Sequence, residues 1–254
     1  AAWLDEERRS WDLLELDLLP GDSNCWQRLR GSLTVRGFEA SVRTTGSFYT
    51  VDASLEWELL DRERYTKALR DLRNRRNRLE RDGIIPRFVV CRRDLLRWLP
   101  AVLHFYGERR EIKGQSNYFA SATGRRFLER AVEEYERRGW AEVVTLGGTD
   151  GRMWAAHLGW VMRSRWYAYT IVMNPEFAAY SPGKLLVYDL VKRCCDDPQI
   201  KELNFMRGEA PYKAQFATDK QPYYTLRVEN PWSARLKMTR AASRLVALRD
   251  AILR

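Results

Sequence analysis

Two histidines and four cysteines in 254 residues leave this chain few of the side chains that build metal sites. The cysteines stand at 25, 91, 194 and 195, with no Cys-x-x-Cys spacing among them. That argues against a zinc framework, and no metal is expected. Cys194 and Cys195 are adjacent, and vicinal cysteines do not readily close an unstrained bridge. The pattern suits a reducing compartment, so the expected location is cytoplasmic. No apolar run approaches the ~20 residues that cross a bilayer. The opening residues do not read as a secretory signal. Internal repeats and low-complexity linkers are also missing, which excludes solenoids and flexible arrays.

Apolar residues make up 45% of the chain and ten residues are Trp, enough for one large core or two small ones. Lys and Arg number 44 against 34 Asp and Glu, a net charge of +10. Two classes fit that balance: a nucleic-acid binder, or an enzyme with a polyanionic, phosphate-bearing ligand. The first residues, AAWLDEERRSW, lack a start Met and read like the middle of a helix. The expectation is a chain that begins inside a longer protein.

Periodicity places the elements. Residues 11–19 read as a strand ended by Pro20-Gly21-Asp22, residues 24–36 as a helix, and 38–60 as irregular strand. Residues 65–81 form the clearest helix, with Tyr65, Leu69, Leu72 and Leu79 on one face and a row of arginines on the other. A strand over 86–91 and helices over 93–106 and 127–139 follow. The second half reads as strands 141–146, 153–162 and 166–173, helix 184–195, strand 200–206, short helix 211–216 and strand 223–228. The run 166–206 is then a parallel strand-helix-strand crossover in an α/β fold. A basic terminal helix is expected over 234–254.

Two loops carry the chemistry. YSPGKLL, residues 180–186, ends one segment and opens a helix. Ser181 can cap, Pro182 suits the first turn, and Gly183 lets a ligand approach the backbone. Free N–H groups at a helix start suit a phosphate, though Ser-Pro-Gly also begins plain helices. NFMRGEAPYKAQF, residues 204–216, feeds a strand end into Gly208, Pro211 and the pair Tyr212-Lys213. Both loops belong at the carboxyl ends of strands, where open α/β sheets bind ligands. In WYAYTIVM, strict alternation puts Trp166, Ala168, Thr170 and Val172 on one face and Tyr167, Tyr169, Ile171 and Met173 on the other. His157, in AAHLGW, reads as a packed strand histidine or as a base, and His104 as structural.

Taken in order, the segments YTKALRDLRNRRNRLERDG, FLERAVEEYERRGW, AAHLGW, WYAYTIVMNPEFAAYSPGKLLVYDLV and LNFMRGEAPYKAQFA resemble the GNAT acyltransferase superfamily. The branch they resemble is named after a cellulose-biosynthesis acetyltransferase and is related to the Fem-type peptidyl transferases. The likeness covers about residues 10–230. It implies a GNAT fold, a mixed central sheet flanked by helices, as part of a tandem pair. Residues 1–60 would be the remnant of an N-terminal GNAT-like half, 61–230 the C-terminal GNAT domain and 231–254 the terminal helix.

The resemblance also implies the activity: acyl transfer from acetyl-CoA or another acyl-CoA to an amine on an amino sugar, polysaccharide precursor or small metabolite. The cofactor would lie beside strand 166–173, touching Ile171 and Val172, with its pyrophosphate near Ser181, Gly183, Lys184 and Leu185. A backbone N–H between Thr170 and Val172 would meet the oxyanion. Tyr169 would hold a water, Glu209 or Glu176 would act as base, and Tyr212 would protonate the leaving thiolate. Lys213 would pair with a phosphate or an anionic substrate. The arginine face of 64–81 reads as a solvated surface or as a wall for CoA, a nucleotide-sugar or a glycan. Two patterns depart from the family: Asn204 stands where Asp is common, and strand 166–173 has no carboxylate. Two other functions therefore stay open, a Fem-like transferase using charged tRNA and an inactive binding module in polysaccharide biosynthesis.

Overall fold

A computed structural model describes residues 1–21 and 23–238. The chain opens with α1 (Ala2–Glu6), β1 (Leu13–Pro20), α2 (Asn24–Val35) and β2 (Glu39–Asp52). Then come α3 (Trp57–Leu60), a π-helical turn over Asp61–Tyr65, α4 (Thr66–Ala68) and α5 (Arg70–Arg81). β3 (Arg87–Cys91), a 3-10 turn over Leu95–Trp98, α6 (Leu99–Ile112) and α7 (Ala122–Arg137) follow. The last run is β4 (Ala141–Gly147), β5 (Met153–Met162), β6 (Arg165–Met173), α8 (Pro182–Asp196), β7 (Glu202–Arg207), α9 (Pro211–Phe216) and β8 (Asp219–Glu229). The fold is α/β, with eight strands among the described residues and flanking helices. The expected terminal helix lies, from 239 on, outside the described residues.

The helix expected over 65–81 is broken. Leu69 leaves helical geometry (φ −117°, ψ 23°), and a π turn precedes it. Tyr65 explains the break, because its hydroxyl donates to the Phe216 carbonyl at 2.6 Å inside the core. Tyr65, Leu69, Leu72 and Leu79 are all buried, as their spacing predicts.

The chain divides into two compact units. One takes Ala1–Phe48 and the residues from Gln221 onward. There β1 pairs antiparallel with β8, from Leu13↔Glu229 to Pro20↔Tyr223. Leu33, Phe38, Leu226 and Val228 form its core.

The other unit is Tyr49–Lys220, and its strands run in the order β7-β6-β5-β4-β3. β3, β4, β5 and β6 are antiparallel neighbours, while β6 and β7 are parallel. Arg163 and Ser164 close the β5–β6 hairpin, both at positive φ (50° and 60°) as a tight primed turn requires. Alternation sends one set of side chains to each face. Val144, Leu146 and Trp166 join Leu185, Leu186 and Leu190 of α8 on the first face. Val143, Leu158 and Trp160 meet Leu99 of α6 and Leu128 and Val132 of α7 on the second. Each such fully buried aliphatic side chain contributes about 1.5–3 kcal/mol. Glu142 ties the layers together. Its buried carboxylate accepts from Arg92 Nε (2.8 Å), Arg193 Nη2 (2.9 Å) and Trp166 Nε1 (2.9 Å).

Candidate active site

β6 and β7 pair at three positions only: Arg165↔Glu202, Trp166↔Leu203 and Tyr167↔Asn204. Both strands continue beyond that point, so a gap opens between them. Each has a local cause. On β6, Leu158 faces Thr170 and Gly159 faces Ala168, which leaves Tyr169 as an extra residue in a β-bulge. On β7, Asn204 Oδ1 accepts the Met206 N–H at 2.8 Å, and Met206 turns left-handed (φ 54°). Asp could supply that acceptor oxygen, but not the donation from Asn204 Nδ2 to Glu202 Oε1 at 3.1 Å.

The bulge corrects the strict alternation expected for 166–173. One inserted residue reverses the facing of all that follow. Ile171 packs with Trp166 and Ala168 on the α8 face. Val172 packs with Val102 and Ala156 on the α6 face. The Ile171 carbonyl accepts from Arg109 Nη1 at 3.1 Å. In an extended strand the N–H of a residue faces the same way as its C=O, so the Ile171 N–H opens to the gap.

The strand-to-helix turn after β7 has a stepwise logic. Gly208 supplies a positive φ (102°), Pro211 starts α9, and Tyr212 enters the gap. Lys213 turns back under the loop. Its ammonium donates to the carbonyls of Phe205 (2.7 Å), Met206 (3.3 Å) and Arg207 (2.7 Å). Burial, with the nearby Arg109 charge, pulls the Lys213 pKa down to about 8.

Two cavities flank the gap, and Arg109, Lys113, Ile171 and Tyr212 line both. One, of about 380 Å³, is mostly apolar and reaches Val172, Met173, Ser181, Gly183 and Lys184. A Cβ on Gly183 would lie 3.7 Å from Ile171 Cδ1 and 3.8 Å from Met173 Sδ. The other, of about 500 Å³, is the more polar of the two and holds Tyr169, Glu209 and Lys213.

A family model described as an acetyltransferase (GNAT) domain matches residues 66–214. The chain belongs to the GNAT acetyltransferase family. Three solved structures resemble this GNAT chain in fold. FemX does so at 10% identity and a TM-score of 0.61, over 88% of this chain and 75% of that one. The C-terminal domain of a putative lysylphosphatidylglycerol synthetase from Agrobacterium fabrum gives 14% and 0.59, over 95% and 75%. L-PGS from Bacillus licheniformis gives 12% and 0.55, over 92% and 72%. No curated protein matches the sequence.

The GNAT domain gathers most of the expected site residues. Tyr169, Glu209 and Lys213 line the polar cavity, Val172, Ser181, Gly183 and Lys184 the apolar one, and Ile171 and Tyr212 both. Leu185 is buried and lines neither. Glu176 also lies outside both, 3.6 Å from Arg152. Glu209 is 3.3 Å from Lys220. Burial raises the pKa of Tyr169 and of Tyr212, so both keep their protons at neutral pH. Ser181 differs from the expected cap. It sits left-handed (φ 53°) and makes no side-chain cap bond. Its carbonyl instead accepts the N–H of Lys184 and of Leu185. The Gly183 N–H is then the unmatched donor of that first turn among the described residues.

Sequence reasoning expected a helix over 93–106 but neither its continuation to Ile112 nor its part in the site. Tyr106, Arg109, Arg110 and Lys113 all line the polar cavity. They recur at i, i+3, i+4 and i+7, the spacing of one helix face, and that signal stands in FYGERREIK.

Proposed function

We propose that this chain is an acyl-CoA-dependent N-acyltransferase of the cellulose-biosynthesis acetyltransferase branch. It would move an acyl group to an amine on an amino sugar, a polysaccharide precursor or a small metabolite. The observation that carries this reading is the gap between β6 and β7, with an apolar cavity and a polar cavity meeting at Ile171. The residues fit a CoA thioester. Gly183 leaves the apolar cavity unfilled, its N–H is unmatched, and Lys184 brings a cation to the same turn. Ile171, Val172 and Ser181 form the rest of that wall.

Acyl-CoA supplies an activated carbonyl. The amine nitrogen forms the new N–C bond as the C–S bond breaks. The Ile171 N–H meets the oxyanion. Tyr212 gives its proton to the thiolate. Glu209 takes the proton from the amine, directly or through a water held by Tyr169. Lys213 holds the loop that carries Glu209 and Tyr212. Positioning does most of the work.

Calorimetric titration with acetyl-CoA and longer acyl-CoAs tests the reading. Micromolar binding is expected, and Gly183→Trp, which fills the apolar cavity, should abolish it while circular dichroism stays native. A folded wild-type protein that binds no acyl-CoA overturns the proposal.

A further inference from the structure

The polar cavity holds more positive charge than acyl transfer itself requires. One face of α6 delivers Arg109, Arg110 and Lys113 to its wall. Arg207, at the end of β7, and the buried Lys213 add two more cations. Among the described residues, no carboxylate pairs with any of the five. The carboxylate on the same wall, Glu209, lies 3.3 Å from Lys220.

The two neighbouring arginines of α6 are oriented by neutral partners. Arg109 donates from Nη1 to the Ile171 carbonyl. Arg110 donates from Nε to the Tyr106 hydroxyl (3.0 Å) and from Nη1 to Gln115 Oε1 (2.8 Å). A guanidinium carries five N–H donors, so both keep several for a ligand. Neutral acceptors fix the guanidinium planes without cancelling their charge. Arg109 is also close enough to Lys213 to oppose its charge. Like charges gathered in a partly desolvated wall are unfavourable until an anion joins them. Arg110 and Arg207 line this cavity and not the apolar one beside Gly183, which separates them from the turn suited to the cofactor's phosphates.

We propose that the acceptor amine carries an oxyanion, a carboxylate or a phosphate, seated on Arg109, Arg110 and Arg207. This rests on the acyl-transfer reading and names the acceptor class within it. Planar guanidinium forks suit both oxyanions. Phe119 and Tyr169 offer an apolar wall to the carbon skeleton.

The test is calorimetry with two matched pairs, glucosamine 6-phosphate against glucosamine and L-phenylalanine against its methyl ester. Wild type, Arg110→Gln and Arg207→Gln are each measured with and without saturating coenzyme A. In at least one pair the member that bears the oxyanion, the charged probe, should bind about tenfold tighter than the partner that lacks it, and each variant should erase most of that advantage. The pair that responds separates phosphate from carboxylate. Equal affinity within both pairs, or no binding by either charged probe, overturns the proposal. So does displacement of the charged probe by coenzyme A, which would assign these cations to the cofactor. If the charged probe binds through the two arginines and coenzyme A does not bind, the anion site stands and the acyl-donor reading falls.

Discussion

His157 is buried on β5, with its ring edge-on to Trp166 at 5.1 Å and Nε2 without a partner among the described residues. Burial drives its pKa down to about 4, with Lys213 as a lesser cause. The unfolded chain, at the ordinary value of about 6.5, takes up that proton first. Stability from the neutral ring is therefore complete above pH 6.5 and is lost as pH falls toward 4, about 3 kcal/mol in all. Urea unfolding at pH 7, 6 and 5 should show this slope in the wild type, and His157→Gln should flatten it. An equal slope in both proteins would mean that other groups set the acid limit. Lys213 has a dependence of the same sign at higher pH. Its proton leaves the folded state near pH 8 and the unfolded chain near 10.5, so stability rises across that window. Wild type should gain on Lys213→Met as pH goes from 8 to 10. A constant difference in unfolding free energy would show an unperturbed lysine.

At the scale of elements, legibility followed period. β5, α9 and the body of α8 matched their expected spans: β5 is a nearly continuous apolar run buried on both faces, and buried residues recur at helical spacing along α8. The parallel crossover through β6, α8 and β7 was legible for the same reason. Two features broke a period from outside. The Tyr65 hydrogen bond to Phe216 interrupts the helix before α5, and it joins residues far apart in sequence. The Tyr169 bulge swaps Ile171 and Val172 between faces, and no residue of WYAYTIVM announces it. Its counterpart across the hairpin does leave a trace. A Cβ on Gly159 would come within 2.7 Å of Trp166 Cε2. Trp166 cannot yield, since its Nε1 is bonded to Glu142 at 2.9 Å. Gly159→Ala should then cost about 1–3 kcal/mol by overpacking, read as a lower urea midpoint. An unchanged midpoint would mean that β5 and β6 re-space freely around the bulge.

At the scale of the whole molecule, the chemistry comes from segments that sequence order keeps apart. α6, β6, the turn at Gly183 and the run from β7 into α9 each supply part of the two cavities. The last three carried recognisable loop chemistry, while α6 showed only a basic helix face, of which the chain has several. That abundance is also why the net charge of +10 could not separate a nucleic-acid binder from an enzyme with a phosphate-bearing ligand. The proposed donor does separate them. Acetyl-CoA bears several phosphate charges, whereas S-acetylpantetheine presents the same thioester with none. A positive molecule attracts the first and not the second, and salt screens that attraction over a Debye length of about 10 Å at 0.1 M. Stopped-flow association of acetyl-CoA should slow by about tenfold between low and high ionic strength. Association of S-acetylpantetheine should stay nearly constant over the same range. If both donors slow alike, salt is acting on the protein and not on an attraction for phosphate, and the excess positive charge has no part in capturing the donor.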